Sequence, residues 1–393
     1  MTEINNEQTF KQTIDAVAKI KVVGVGGGGN NTIHSMIREN IEGVDFIVAN
    51  TDEQVLNSSI CKNVLRLGNA KKGLGAGADP EKGRVAAVES TEDIKKALEG
   101  ADMVIIAAGM GGGTGTGASP IIAKIAKELG ALTVGIVTTP FSFEGSQRAK
   151  NSIEGLKEIK SEVDSLIVVS NDKLLKQFGG ISLKDSFVYA DKTLKQTVRT
   201  ITDLIAIPAL INLDFSDVTT IMKDKGTALI GIGKSTGEDR AIKAATHAIS
   251  SPILEASIRG ASNAIINVSG GDITLDEANK AVETIKAAAG SELNIIFGVS
   301  IVDAMEKEIQ VSVIATGIED ERPITEEQIK KEASDSIKDA TIEFENEKTR
   351  EFLITDPLPE DEKLSITDEV KLQNSPFDIL EEDDDDIPEF LRS

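Results

Sequence analysis

The stretch Gly109-Met110-Gly111-Gly112-Gly113-Thr114-Gly115-Thr116-Gly117 decides the fold of this chain. It follows the apolar run 103–108 and precedes 118–123, an order typical of a buried strand, a glycine loop and a helix. Glycine lets a ligand approach the backbone closely because no Cβ intervenes, and the N–H groups of a helix start bind phosphate. Six glycines in nine residues are more than a turn needs, so the stretch predicts a phosphate-binding loop.

A second glycine loop is predicted at Gly26-Gly27-Gly28-Gly29-Asn30-Asn31, after the strand pattern of residues 20–25. With Gly24 it satisfies G-x-G-x-x-G, which by itself indicates a dinucleotide fold. A dinucleotide needs one pyrophosphate loop, whereas this chain has two glycine loops after two strands. Parallel strands end at one edge of a sheet, so two such loops suit a longer phosphate chain gripped from both sides.

The fold class follows from the alternation of strand and helix patterns between residues 20 and 170. This alternation predicts an α/β, Rossmann-like domain whose parallel sheet is covered on both faces. Residues 183–205 repeat apolar side chains at three- and four-residue steps, which predicts one long helix. Beyond residue 218, four strand patterns and two helix patterns predict a smaller α+β domain. Its strands are expected at 227–232, 264–268, 293–299 and 309–316.

The charge of the chain is concentrated in its tail. Residues 318–393 hold 26 acidic and 9 basic residues, so they carry −17 of the total net charge of −23. Such a segment cannot bury enough apolar surface to fold and is predicted to be disordered. No basic patch stands out, so a nucleic-acid partner is not expected.

The cysteine content and the apolar runs limit the classes of protein to which the chain can belong. The single Cys61 excludes an internal disulfide and a cysteine-based metal cluster. The polar N-terminus predicts no signal peptide. The most apolar long stretch, 201–213, is too short to span a bilayer, so we expect a cytoplasmic protein without membrane insertion.

These observations predict six segments. They are a flexible N-terminal arm (1–19), a nucleotide-binding domain (20–182), a central helix and connection (183–211), an α+β domain that begins with an acidic loop (212–317), a disordered acidic linker (318–380) and a C-terminal peptide (381–393).

The glycine stretch at 109–117 matches the G-G-G-T-G-T-G signature loop of tubulin-like proteins, and residues 20–317 resemble the FtsZ family of cell-division GTPases. The matching segments run in the same order over about three quarters of the chain. Besides the signature loop they are 50–52, 73–80, 140–145, 171–174, 212–215, 237–240, 248–252 and the closing 387–392.

This resemblance implies that the chain binds GTP or GDP, with Mg²⁺ held mainly by phosphates and water. Residues 76–79 would lie near the γ-phosphate, Phe187 would stack on the base, and Asp191 would accept from guanine N1–H and its exocyclic amine. Without the resemblance, Phe187 and Asp191 would be read as core packing and a solvated face. The complete set of implied nucleotide contacts is Gly27, Gly28, Gly29, Asn30, Asn31, Gly111, Gly112, Gly113, Thr114, Gly115, Thr116, Gly117, Glu144, Arg148, Phe187 and Asp191.

The resemblance also implies that Asn212, Asp214 and Asp217 complete the site of the next copy in a head-to-tail filament. The two carboxylates would orient and partly deprotonate the attacking water, and Asn212 would help to position it. Filaments of this family form the contractile Z ring at the mid-cell division site. Their closing peptide, here with Ile387, Pro388, Phe390 and Leu391, is implied to bind membrane-anchoring division adaptors.

Two other functions remain open at this point. An NAD-dependent Rossmann oxidoreductase could use the first glycine loop, although the chain offers no credible His or Tyr at a hydride site. A tubulin-like scaffold that does not hydrolyse GTP is the other alternative, and the intact acidic segment at Asp214 and Asp217 argues against it.

Overall fold

The computed structural model describes residues 18–41, 43–69, 73–178, 182–206, 210–211, 213–250, 258–290 and 293–318. The predicted arm as far as residue 17, the linker and tail from residue 319, and Asn212 lie outside the described residues. The tail positions Ile387, Pro388, Phe390 and Leu391 therefore stay sequence predictions. Across the described ranges, no helix is both long enough and apolar enough to cross a membrane.

The described residues form ten strands and eleven α-helices. The strands are β1 (Ile20–Val25), β2 (Val44–Asn50), β3 (Asn63–Arg66), β4 (Met103–Gly109), β5 (Leu132–Thr139), β6 (Ser165–Ser170), β7 (Gly226–Ser235), β8 (Asn263–Gly270), β9 (Asn294–Ile301) and β10 (Ile309–Thr316). The helices are α1 (Gly26–Arg38), α2 (Glu53–Asn57), α3 (Pro80–Glu89), α4 (Thr91–Leu98), α5 (Thr114–Glu128), α6 (Ser146–Glu162), α7 (Asn171–Phe178), α8 (Leu183–Ala206), α9 (Phe215–Met222), α10 (Arg240–Ile249) and α11 (Leu275–Ala289).

All ten strands belong to one sheet, in the order β3-β2-β1-β4-β5-β6-β7-β10-β8-β9. The neighbouring strands from β3 to β7 pair in parallel, β10 runs antiparallel between β7 and β8, and β9 is parallel to β8. The strand order changes direction between β1 and β4, and such a switch point leaves a crevice at the carboxyl ends of the strands. The predicted α/β class and Rossmann-like layer are confirmed.

The four strands of the predicted α+β domain do not form a separate sheet but continue the first one. A short parallel ladder joins β6 to β7, pairing Ser165 with Gly226 and Ile167 with Ala228. The sequence pattern marks each strand separately, but it does not tell which distant strand becomes its neighbour. The domain boundaries proposed from the sequence stay a prediction.

Helices cover both faces of the sheet. On one face, α1, α8 and α9 pack in a core that includes Ile33, Leu194 and Val218. On the other face, α3 to α6 pack on the first half of the sheet, and α10 and α11 pack on the second half. The predicted apolar stripe of α8 is confirmed, since Leu194, Val198 and Ile201 are buried.

The predicted loop at 26–31 is instead the first turn and a half of α1, which begins at Gly26 directly after β1. Helix α5 likewise begins at Thr114, inside the glycine stretch and four residues before the predicted start. Glycine is a poor helix former, but tertiary packing overrides propensity where two backbones must lie close together. The first predicted loop is therefore a helix start, and the second ends in one.

Candidate nucleotide site

The starts of α1 and α5 lie side by side because β1 and β4 are adjacent strands that end together, with Val25 paired to Ala108. A Cβ placed on Gly26 would lie only 2.8 Å from the backbone N of Gly115. Both helices begin without a side-chain cap and without an acid in the first turn. Side chains cap α2, α3, α9 and α11, whereas α6 and α10 also begin without a side-chain cap or a first-turn acid. Two uncapped helix starts at one point favour a bound anion.

Some glycines of the site are required by packing. A Cβ on Gly29 would lie 2.2 Å from the carbonyl oxygen of Ala107, and one on Gly117 would lie 1.9 Å from that of Pro80. Any side chain at these positions would clash with backbone. They hold α1 and α5 tightly against neighbouring elements.

Gly27 and Gly112 have a different explanation. A Cβ on either would have nothing within 4 Å, and neither residue has a positive φ. Every other described glycine with such open space has a positive φ. Neither backbone conformation nor protein packing therefore explains why these two residues are glycine. At Gly27, which is helical, glycine even costs up to about 1 kcal/mol of stability relative to alanine. Close approach of a ligand to the backbone does account for them.

Two threonine hydroxyls of the loop are engaged within the protein. Thr114 Oγ1 is 2.6 Å from Thr51 Oγ1, and Thr116 Oγ1 accepts the backbone N–H of Gly111 at 2.9 Å. The Thr116 hydroxyl therefore stabilises the loop conformation, and its own proton is still available for donation. No local pattern in the sequence marks Thr51, because its partner Thr114 is 63 residues away in the chain.

The segment 76–79, which the resemblance places near the γ-phosphate, packs on the glycine loop. A Cβ on Gly113 would lie 2.7 Å from Ala76 Cβ and 2.9 Å from the backbone N of Asp79. Asn151 joins the two segments, since its Nδ2 donates to the carbonyls of Ala78 (3.3 Å) and Gly111 (3.4 Å). Asn151 is a second residue that sequence reasoning missed.

Asn30 and Asn31 differ in role. Asn30 is buried, and in the amide orientation that satisfies its neighbours it donates to the carbonyls of Gly24 (2.8 Å) and Gly26 (2.9 Å). It thereby holds the turn from β1 into α1. Asn31 is exposed one residue later on the same helix. Of the two, only Asn31 presents an open side chain.

Glu144 and Arg148 lie beside the glycine loop and pair with each other. Glu144 Oε1 accepts the backbone N–H of Phe141 at 2.9 Å, and its Oε2 accepts from the Arg148 guanidinium. A Cβ on Gly111 would lie 2.8 Å from the Arg148 carbonyl oxygen. The structure thus brings this pair to the loop, already joined by an ion pair.

Three phenylalanine rings mark the other end of the site. The ring of Phe187 meets that of Phe141 edge to face at 5.2 Å, and it is 42% exposed. Asp191 follows one turn later on α8. Burial raises the pKa of Asp191 to about 6, and no described residue gives it a hydrogen bond or ion pair. A half-buried carboxylate without a partner suits a ligand that donates hydrogen bonds.

Asn171 is a further polar group near these rings. It is buried, and its Oδ1 has no hydrogen-bond partner among the described residues. It begins α7, whose Leu174 packs against Phe141 and against Ala190 of α8. Buried polar atoms are nearly always paired, so this oxygen needs a donor. The sequence offered Asn171 only as part of a family match and assigned it no role.

The structure does not bring Asp214 and Asp217 to the glycine loops. Between Phe187 and Ala206 helix α8 carries the chain about 28 Å away from the phenylalanine rings, at 1.5 Å per residue. Leu213 then packs beside Gly298 of β9, which is six strands from β4 in the sheet. The two acids and the glycine loops lie at separate places in one chain.

Helix α9 begins within the segment that was predicted as an acidic loop. Asp214 caps it by accepting the backbone N–H of Asp217 at 2.8 Å, and Asp217 accepts that of Asp214 at 3.3 Å. This reciprocal cap follows from the D-x-x-D spacing, which could have predicted the helix start. The N–H of Asp217 also holds the pKa of Asp214 below its ordinary value.

Family models match two parts of the chain. Residues 19–179 match the GTPase domain of the tubulin/FtsZ family, and residues 226–319 match the C-terminal domain of the FtsZ family. Both matches fall on the resemblance noted in the sequence. The first contains the starts of α1 and α5, and the second contains β7 to β10.

Individual proteins agree with these models. The cell division protein FtsZ of Mycoplasmopsis pulmonis (strain UAB CTIP) is 57% identical over 95% of this chain and 97% of its own length. A solved empty FtsZ dimer of M. jannaschii has a TM-score of 0.75 and 43% identity, covering 78% of this chain and 90% of that one. The GTPγS-bound CetZ2 protofilament of Haloferax volcanii, at 19% identity and a TM-score of 0.67 over 82% of this chain and 99% of that one, shares the fold.

Alanine substitutions should separate the two kinds of glycine. Gly27→Ala should stabilise the empty protein by up to about 1 kcal/mol because it removes a helical glycine, yet weaken nucleotide binding at least tenfold. Gly117→Ala should destabilise the protein by about 3 kcal/mol because its Cβ meets the Pro80 carbonyl. Urea denaturation without nucleotide and calorimetric titration with GTP measure both effects. Unchanged GTP affinity in Gly27→Ala would show that no ligand covers this helix start.

Proposed function

The chain belongs to the FtsZ family of tubulin-like GTPases, and we propose that its GTP is held where α1 and α5 begin and hydrolysed with the help of the next copy in a filament. GTP-dependent filament formation in cell division is the function that this membership carries. The observation that supports the shared site is the separation of Asp214 and Asp217 from the glycine loops. The oxidoreductase alternative is wrong, because residues 19–179 match a GTPase domain.

The phosphate chain would lie against the two uncapped helix starts. Gly27 and Gly28 on one side and Gly112 on the other leave backbone accessible, and Thr114 adds a hydroxyl. Here the partial positive charge of both helices would be offset by phosphate. Arg148, paired with Glu144, would contribute the nearest cationic side chain on the ribose side.

Guanine would be recognised by Asp191, with Phe187 against the face of the base. An ionised carboxylate can accept both from N1–H and from the exocyclic amine, whereas adenine offers no such donor pair. We propose Asn171 as a second contact, because its Oδ1 is an unpartnered acceptor and the next residue, Asp172, binds Ser142 in the turn between Phe141 and Phe143. The burial that raises the Asp191 pKa would then be compensated by charged hydrogen bonds to the base.

Hydrolysis needs a water in line with the γ-phosphate. The low pKa of Asp214 keeps it ionised at neutral pH, so in the free chain it is a weak base suited to orienting water. Next to a triphosphate its pKa would increase through like-charge repulsion, which makes proton transfer easier. Asp217 would assist from the first turn of α9, and Asn212 keeps its predicted positioning role.

A head-to-tail contact brings two distant surfaces of one molecule together and does not close, so it extends into a filament. One copy would supply the glycine loops and the next would supply the start of α9. An isolated subunit would therefore bind GTP without hydrolysing it, because the acids come from the next copy. The solved M. jannaschii FtsZ, described as a dimer, supports self-association in the family.

Magnesium would enter with the nucleotide. Among the described residues, no three His, Cys, Asp or Glu side chains are grouped closely enough to hold a metal ion. Mg²⁺ keeps several waters and is commonly bound through phosphates, so this donor set is compatible with a nucleotide-borne ion. Bound there, the ion would neutralise phosphate charge.

Localisation at the mid-cell ring and capture of membrane-anchoring adaptors by Ile387, Pro388, Phe390 and Leu391 stay proposals. They are supported by the resemblance of the closing peptide alone. A short apolar cluster after six consecutive acidic residues suits docking into an apolar groove of a partner.

Asp191→Asn should have opposite effects on stability and on binding. Burial penalises the charged form of Asp191, so the empty wild-type protein should lose stability as the pH rises from 3.8 through about 6. At pH 7 the variant should therefore be more stable by about 1–3 kcal/mol, while its GTP affinity falls roughly 10- to 100-fold. Wild-type affinity should itself fall about tenfold per pH unit below pH 6.

Chemical denaturation over this pH range and calorimetry measure these effects. Xanthosine triphosphate serves as the control, because asparagine can accept from its N1–H and donate to its C2 carbonyl. We expect the variant to bind this nucleotide better than the wild-type protein does. Equal GTP affinity in both proteins would show that Asp191 does not read the base.

Asp214→Asn should abolish turnover without affecting binding. The amide oxygen can still accept the Asp217 N–H, so the cap of α9 persists while the charge is lost. GTP affinity and filament formation should persist, and kcat should fall at least about 100-fold. Asp276→Asn is the matched control, since Asp276 is an exposed acid in the first turn of α11. Normal hydrolysis by Asp214→Asn would disprove the assignment.

The shared site also predicts that turnover depends on assembly. GTPase activity per subunit should increase above a threshold protein concentration in wild-type protein. A mixture of Asp191→Asn and Asp214→Asn should exceed the summed activity of the two alone, because one supplies acids and the other supplies bound GTP. Steady-state phosphate release with parallel sedimentation measures this, and a purely additive mixture would contradict a site shared between copies.

A further inference from the structure

Asn151 has no part in the function proposed above, yet both ends of its side-chain amide are bonded. It lies on α6 and is only 6% exposed. Its Nδ2 donates to the carbonyl oxygens of Ala78 at 3.3 Å and Gly111 at 3.4 Å, and its Oδ1 accepts from Gln147 Nε2 at 2.9 Å. Because both of its amide protons are engaged within the protein, Asn151 is suited to holding two backbone segments together rather than to contacting a ligand.

The bond to Ala78 lies where the backbone is unfavourable for alanine. Ala78 has a φ of 60°, in the left-handed region, where a Cβ crowds the following carbonyl oxygen. Every other described non-glycine residue with a positive φ is Asn, Asp or Glu. The peptide after Ala78 is fixed from outside, since Asn151 binds its carbonyl and the Ala76 carbonyl accepts the N–H of Asp79 at 3.2 Å. These two bonds hold Ala78 in a conformation that its own Cβ disfavours.

The glycine loop, at the other end of the Asn151 amide, is held independently. Thr116 Oγ1 accepts the backbone N–H of Gly111 at 2.9 Å. The same glycine packs on α6, since a Cβ there would lie 2.8 Å from the Arg148 carbonyl oxygen. The loop therefore keeps its conformation without Asn151. The bond to Gly111 serves to anchor the amide that holds Ala78.

The strand order indicates which part of a nucleotide would meet the segment 76–79. The first half of the sheet runs β3-β2-β1-β4-β5-β6. In the proposed site the base lies beside residues that follow β5 and β6, and the phosphates lie at the helix starts that follow β4 and β1. A nucleotide in this orientation extends toward β3, and the segment 76–79 follows β3 in the chain. Its last phosphate would therefore be the part nearest to this segment.

We propose that Asn151 is a positioning residue for the terminal phosphate of GTP and that it sets the preference of the site for GTP over GDP. The inference rests on the proposed function, which places the phosphate chain at the starts of α1 and α5. Asn151 holds Ala78 while Ala76 and Asp79 pack on Gly113, so the whole segment is fixed against the glycine loop. GDP lacks the terminal phosphate, so its affinity does not depend on this segment.

Asn151→Ala removes both donated bonds and tests the preference directly. Below the assembly threshold, its affinity for GTP should fall about tenfold, while its affinity for GDP stays within about twofold of wild type. Calorimetric titration measures both, and retained GDP binding shows that the variant is folded. Asn279→Ala is the matched control, because Asn279 bonds through its amide to Glu283 one turn along α11. Both of its affinities should equal those of wild type.

Gln147→Ala is a milder test that keeps Asn151 in place. Gln147 is exposed, and its bond to Oδ1 orients the Asn151 amide. Without this bond, GTP affinity should fall about threefold and GDP affinity should not change. Hydrogen exchange in nucleotide-free protein adds a readout that needs no ligand. The amide of Asp79 should exchange faster in Asn151→Ala than in wild type, whereas the amides of β4 should not change.

Equal losses of GTP and GDP affinity would show that Asn151 only supports the folded site, and they would overturn the proposal. Unchanged GTP affinity or unchanged exchange at Asp79 would overturn it as well. If Asn151→Ala does not fold, the ratio of GTP to GDP affinity in Gln147→Ala decides. In each case, weakened GTP binding by Gly27→Ala leaves the proposed function intact. Normal GTP binding by Gly27→Ala would instead remove the proposed phosphate site itself.

Discussion

The starts of α1 and α5 lie closer together than side chains would allow, and the rest of the structure depends on this approach. Gly26 faces the backbone N of Gly115, and Gly29 faces the carbonyl of Ala107. With a Cβ at these positions the two helices could not begin at adjacent strand ends. Because they do, two helix dipoles point at the same small volume at the switch point of the sheet.

Converging positive helix ends repel each other, and here no side chain compensates them. The chain places its capping acids on other helices, Asp52 on α2 and Asp79 on α3, while α1 and α5 begin uncapped. Asp191 adds a carboxylate that burial disfavours. In the proposed site, each feature costs stability in the empty protein and would be compensated by an anionic nucleotide with hydrogen-bond donors. Stability would then be linked to occupancy of the site.

The distance between the base site and the start of α9 has an equally direct consequence for hydrolysis. Helix α8 is a rigid rod that carries the chain away from the base site, and the continuous sheet places β9 at its far edge. No side-chain movement spans about 28 Å, the rise along α8 from Phe187 to Ala206, so in the proposed mechanism the acids at the start of α9 serve a nucleotide bound to another molecule. In the proposed mechanism, this separation is what couples turnover to assembly. A continuous sheet is well suited to such a coupling, because it keeps both ends of the subunit in one rigid framework.

Features that depend only on neighbouring residues could be predicted from the sequence. Strand β4 and the apolar stripe of α8 were predicted correctly, because each is a local pattern. The resemblance supplied the family, and the comparisons confirmed it.

Tertiary structure decided what local patterns do not contain. The helical state of Gly27 and Gly28, the β6–β7 ladder and the Thr51–Thr114 contact depend on segments brought together from distant parts of the chain. The same holds for the pKa of Asp191 and the unpartnered oxygen of Asn171, since burial is a property of the packed molecule. Periodicity and turn chemistry act over a few residues, whereas packing, desolvation and dipole alignment exist only once the chain has folded.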